Sequence, residues 1–112
     1  RGKHTESLTH QRLGEGRKLE PLDMSGRHLK HFPFLEMGKI IGLLDLKHNF
    51  ISEIKYTNQV SNLVILNLYN NQIEHISESI SQLRNLQVLM LGRNRIFNIT
   101  NLESLVRLDV LD

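Results

Sequence analysis

Leu44-Asp45-Leu46-Lys47-His48-Asn49-Phe50-Ile51 decides how this chain folds, because its pattern, Leu-x-Leu-x-x-Asn-x-Ile, returns twice. The second copy is Leu66-Leu68-Asn71-Ile73 and the third Leu89-Leu91-Asn94-Ile96. Outward from these lie a looser copy, Leu22-Met24-Arg27-Leu29, and a fragment at Leu108-Leu111. The first leucines fall at 22, 44, 66, 89 and 111, so the steps are 22, 22, 23 and 22 residues. Self-similarity at such a period is the mark of a solenoid, in which each repeat buries its apolar face against its neighbours.

The two leucines of each copy are two residues apart and so share one face of a short strand. Stacked strands of this kind make a parallel sheet, which needs a long return connection, and the rest of each repeat supplies it on the opposite, convex side. The returns carry their own apolar columns: Ile54, Val60 and Leu63; then Ile76, Ile80, Leu83 and Leu86; then Ile99, Leu102, Leu105 and Leu108. The expected fold is therefore an α/β repeat solenoid with a short parallel sheet on the concave face and helical or irregular convex returns. The sharp exit from each strand strips backbone groups of partners. A buried carboxamide donates and accepts at once, which predicts a structural ladder of Asn49, Asn71 and Asn94. Arg27 takes that place in the first copy, as suits an atypical terminal repeat. The one extra residue of the third step falls in the return between Ile76 and Leu86, where a slightly longer helical turn capped by Ser77 or Ser79 is expected.

Residues 1–19 carry only Leu8, Leu13 and Leu19 as large apolar groups, interrupted by Gly14 and Gly16. They read as a polar, mildly basic N-terminal arm or weak cap, and residues 20–112 as four repeats and the start of a fifth. The sheet edge left at Asp112 suggests a fragment of a longer repeat protein, or pairing with a second copy at that edge: a monomer or an edge-paired dimer. The whole chain holds 14 Lys and Arg against 12 Asp and Glu. The surplus lies in front: residues 1–48 hold nine Lys/Arg against six Asp/Glu, and residues 49–112 five against six. So small an excess does not favour nucleic acid. With no cysteine, no disulfide framework is available, which points to a reducing, cytoplasmic setting. The longest apolar runs fall far short of the ~20 residues of a membrane span.

No catalytic constellation emerges. There is no Gly-x-Ser-x-Gly elbow or phosphate loop, and Gly14-x-Gly16 lacks a third glycine. An enzyme is not expected, nor any cofactor. His28 and His31 flank Leu29, a repeat position, without a third ligand in reach, so no metal is expected and both read as surface histidines. Asn98-Ile99-Thr100 matches a glycosylation sequon, but the repeat requires Ile99 inward, so the match reads as coincidence. What remains is the concave face. One column of it is Asp23, Asp45, Asn67, Met90 and Asp112; the next is Ser25, Lys47, Tyr69 and Gly92, with His48, Asn70 and Arg93 at the turn beyond. An apolar column, Leu43, Ile65, Val88 and Val110, precedes the first leucines and has two readings, ordinary β-propensity or binding. Asp45, Lys47, His48, Asn67, Tyr69, Met90 and Arg93 are the candidate contacts for a protein partner. Tyr69 beside Met90 and Arg93 is the best anchor, these being residue types that interfaces favour.

From about Leu22 to Asp112 the chain resembles the 22-residue, SDS22-like class of leucine-rich repeats. Within that class, His48-Asn49-Phe50-Ile51, Leu68-Tyr69-Asn70-Asn71-Gln72-Ile73-Glu74, Leu91-Gly92-Arg93-Asn94-Arg95-Ile96 and Leu108-Asp109-Val110-Leu111-Asp112 are similar in wording to the leucine-rich-repeat subunit of tubulin polyglutamylase complexes. The resemblance implies a non-catalytic scaffold in a cytoskeletal or ciliary assembly, with the other subunits of a tubulin-modifying complex as partners. The alternatives within the class are phosphatase-regulating or dynein-associated repeat proteins. A nucleic-acid-associated repeat protein, using the basic arm, belongs to a different class.

Overall fold

Leu44, Leu66 and Leu89 stand side by side in neighbouring strands of one parallel sheet, where the repeat pattern puts them. The computed structural model describes residues 18–98, 100–101 and the backbone of 109–111. Within these, strands β1 (Glu20–Asp23), β2 (Ile41–Asp45), β3 (Ile65–Asn67), β4 (Val88–Met90) and β5 (Asp109–Leu111) pair in chain order, every pair parallel. The α/β solenoid architecture is thus present. The N-terminal stretch 1–17, the apolar positions Ile99, Leu102, Leu105 and Leu108, and Asp112 lie outside the described residues.

The inward residues of the two central repeats are fully buried: Leu44, Leu46 and Ile51, then Leu66, Leu68 and Ile73, joined from the convex side by Ile54, Leu63, Ile76, Ile80, Leu83 and Leu86, while Leu22, Met24 and Leu29 before them and Ile96 after them are half-buried. At ~1.5 to 3 kcal/mol for each buried aliphatic side chain, these columns are the main source of stability. The returns are 3-10 helices at Gly38–Ile40, Thr57–Val60 and Glu78–Gln82. The extra residue of the long repeat is absorbed there: Glu78–Gln82 has five residues where Thr57–Val60 has four. Its start is capped by Ser77, whose side chain accepts from the Ser79 amide at 3.1 Å. Successive returns are tied by Thr57, whose buried hydroxyl donates to the Ser79 carbonyl at 2.8 Å.

Two places depart from the simple periodicity. Between Glu20 and Pro21 the register of β1 slips, so that Pro21 stands opposite Leu43 and Gly42 is passed over. A Cβ at Gly42 would lie 2.7 Å from that of Leu19, so the glycine allows Leu19 to pack closely. At the other end a 22-residue step would set Leu111 opposite Leu89, but Val110 stands there, with Leu111 opposite Met90 and Asp109 opposite Val88. The last member of the Asp23–Met90 column is therefore Leu111 in place of Asp112, and that of the apolar column Asp109 in place of Val110.

Candidate protein-interaction surface

The asparagines come first, because they fix the turns on which the surface is built. Asn49 accepts from the amides of Arg27 and Leu29 at 2.9 and 3.0 Å and donates to the carbonyls of Met24 and Leu46 at 3.0 and 2.9 Å. Asn71 accepts from the Ile51 amide at 3.0 Å and donates to Leu46 and Leu68 at 3.0 and 3.1 Å. Asn94 accepts from the Ile73 amide at 2.9 Å and donates to Leu68 and Leu91 at 2.8 and 3.0 Å. Each carboxamide thus joins its own turn to the preceding one. Among the described residues no buried side-chain polar atom lacks a partner.

The residue before each asparagine position has a left-handed backbone: Gly26 at φ 61°, His48 at 59°, Asn70 at 58° and Arg93 at 54°. This conformation costs a residue with a Cβ about 1 to 2 kcal/mol and is found where the surrounding structure dictates it. Here the asparagine ladder and the continuing strand ladder dictate it together. His48 and Asn70 donate their own amides to Tyr69 and Gly92 of the next repeat at 2.9 and 2.8 Å.

On the concave face a second set of side chains braces the same turns. Asp23, Asp45 and Asn67 occupy matching positions, and each accepts from the amide two residues on: Ser25 at 2.9 Å, Lys47 at 3.1 Å and Tyr69 at 3.0 Å. Asp45 also pairs with the Lys47 ammonium at 3.2 Å. Hydrogen bonds from the Ser25 hydroxyl and amide, aided by the charges of Lys47 and Arg27, hold the Asp23 carboxyl below the usual carboxylate range. Asp45 and Asn67 therefore shape the surface as well as line it. Met90, the fourth member of the column, has no oxygen to play this part and packs instead against the apolar cluster of Leu19, Val64, Ile65 and Val88. In the apolar column Ile65 and Val88 are buried and Leu43 half-buried, so this part of the concave face is covered.

The structure brings Tyr69, His48 and Asn70 into one group. The His48 ring meets Tyr69 edge-on at 5.8 Å, and its Nδ1 accepts from the Asn70 side-chain Nδ2 at 2.8 Å. Tyr69 is half-buried, while His48, Asn70 and Arg93 are exposed. His48, Asn70 and Arg93, with Phe50, Gln72 and Arg95 behind them, line a groove of about 470 Å³ at the C-terminal ends of the strands. The second three were missed by the alternation argument, which follows strands and stops at the turn. Phe50 nevertheless carried a signal: it lies between two inward positions, Asn49 and Ile51, and is 46% exposed, stacked on His28 at 6.0 Å.

His28 and His31 are both exposed, and the described residues contain no group of three or more His, Asp or Glu side chains placed to hold a metal. Among the described residues no helix is long and apolar enough to cross a membrane.

Comparison with known proteins agrees with this architecture. The profile of the family described as leucine rich repeat matches residues 41–96, half of the chain. No curated protein matches the sequence. Among solved structures, an internalin of Listeria monocytogenes is 37% identical over 66% of this chain and 22% of its own, with a TM-score of 0.59. A leucine-rich-repeat protein of Leptospira interrogans is 28% identical over 64% of this chain and 19% of its own, with a TM-score of 0.55. This chain thus spans about a fifth of the length of either relative. The repeated motif, the parallel sheet in chain order and the profile match together place the chain in the leucine-rich-repeat family.

Proposed function

We propose that this chain is a non-catalytic scaffold that holds a protein partner on its concave face, through Met90 on β4, Lys47 and Tyr69 just beyond β2 and β3, and His48 and Arg93 at the turns. Leucine-rich-repeat proteins generally act in protein–protein interaction. The observation that carries the reading is the His48–Tyr69–Asn70 group: an aromatic side chain held by its neighbours on a braced turn is ordered before a partner arrives. Such preorganisation lowers the entropy that binding must overcome. The finer form of the proposal, a cytoplasmic subunit of a cytoskeletal or ciliary tubulin-modifying assembly, is supported by the wording of the repeats around Tyr69 and His48-Asn49-Phe50.

The test compares the immobilised wild-type chain with a Tyr69→Ala, Lys47→Glu double variant in extract from ciliated cells, after thermal unfolding has shown both to be folded. Proteins held by the wild type should fall about tenfold or more in the variant, as expected on losing an interface anchor. Glutamate-ligase subunits acting on tubulin should be among them. An identical set of captured proteins would overturn the concave-face site, and a set without tubulin-modifying subunits would overturn the finer form alone.

A further inference from the structure

We propose that the groove at the C-terminal ends of the strands binds an extended acidic segment of a partner protein. This rests on the protein-binding reading and gives one partner segment its chemistry. The three turn rows that line the groove, His48–Phe50, Asn70–Gln72 and Arg93–Arg95, contain two arginines, one histidine and no carboxylate. Among the described residues the ion pairs are Lys47–Asp45 and Lys55–Glu53, and neither neutralises an arginine of the groove. Arg93 and Arg95 are both exposed and stand two residues apart on one turn, lining the same wall. A guanidinium so placed takes a carboxylate through two parallel hydrogen bonds.

The remaining lining suits a peptide backbone. Rows of neighbouring strands are ~4.8 Å apart, and an extended chain advances ~3.4 Å per residue, so the rows from His48 to Arg93 span about three residues. Across that span stand the side-chain amides of Asn70 and Gln72, which both donate and accept, as the alternating N–H and C=O groups of a peptide require. Phe50 closes the far end; the residue is 46% exposed with His28 stacked on its ring, and its open part can take an aromatic or apolar side chain. Two arginines over three turns, with one aromatic platform, is sparse for a nucleic-acid backbone, which calls for a cation at most phosphates and repeated stacking surfaces.

The experiment is a fluorescence-anisotropy titration of the whole chain with a labelled Glu-Glu-Tyr-Glu-Glu peptide, set beside its Gln-Gln-Tyr-Gln-Gln counterpart. The acidic peptide should bind at least about tenfold tighter, and Arg95→Glu should weaken it by about tenfold or more, as loss of a facing charge pair does. Arg84→Glu, an exposed cation on a convex return that does not line the groove, should leave binding within about twofold, since an exposed charge outside the site is screened by salt. Equal binding of the two peptides, no binding of the acidic one, or an unchanged affinity in Arg95→Glu would overturn the proposal. Displacement of the peptide by a lower concentration of oligouridylate would overturn it in favour of nucleic acid. The extract comparison with the Tyr69→Ala, Lys47→Glu variant leaves Arg95 intact, so the concave-face reading can stand when this one fails.

Discussion

The Asn71 side chain donates to the carbonyl of Leu46 at 3.0 Å, reaching from its own turn to a residue 25 positions earlier in the chain. It is buried, and it also serves the Ile51 amide and the Leu68 carbonyl, so removal leaves the Ile51 amide without a partner and takes one of two side-chain donors from each of the Leu46 and Leu68 carbonyls. Asn71→Ala should therefore cost ~1 to 3 kcal/mol in urea unfolding. Asn71→Asp should be no better tolerated, because a carboxylate cannot donate to the two carbonyls. A midpoint equal to wild type for either variant would contradict this account of the ladder.

The left-handed column predicts opposite signs at its two ends. Arg93 at φ 54° bears a strain of ~1 to 2 kcal/mol that glycine would relieve, less the ~0.4 to 1 kcal/mol by which glycine favours the unfolded chain. Arg93→Gly should stabilise by up to ~1.5 kcal/mol. Gly26 has the same conformation and open space where a Cβ would be, so Gly26→Val should lose more than ~1 kcal/mol through the backbone alone. Thermal unfolding of the two variants gives both signs.

Gly38 tests the packing of one return on the next. A Cβ there would run into the Gln59 carbonyl oxygen and lie 2.8 Å from Val60 Cγ1, one a backbone atom and the other part of the core. Gly38→Ala should destabilise by ~1 to 3 kcal/mol, the usual range for overpacking. An unchanged melting temperature would mean that the two returns separate at little cost.

Acid should act on the turn after β1. The folded Asp23 carboxyl titrates below its unfolded counterpart because Ser25 donates to its charged form. Its contribution is complete above the unfolded carboxylate range and is lost as pH falls through the folded value. An NMR titration of Asp23 should place its midpoint below the usual aspartate range. Ser25→Ala should move it back up, and Asp23→Asn should flatten that part of the acid limb of stability.

Much of this fold is legible in the sequence, because Leu44, Leu46, Asn49 and Ile51 each answer a separate physical demand and the demand recurs every 22 or 23 residues. The positions buried at Ile54, Val60, Leu63, Ile76, Ile80, Leu83 and Leu86 follow from the same period. Where neighbouring residues offer equivalent chemistry, the period loses its power. Val110 and Leu111 are both apolar, and the strand takes the one that the step of 22 does not select. The surface was harder still. Alternation identifies Asp45 and Asn67 as facing outward, but only the coordinates show each bonded to the amide two residues on. Periodicity says which residues face solvent and is silent on how turns direct them.

The asparagine ladder also separates where an amide sits from what protects it. The Ile51 N–H belongs to one repeat, but its acceptor is Asn71 of the following repeat; Ile73 depends in the same way on Asn94. In a hydrogen-exchange experiment, the rate at Ile51 would thus report the detachment of its successor rather than the opening of its own turn. The solenoid carries built-in reporters, offset by one repeat, for the order in which its rungs separate.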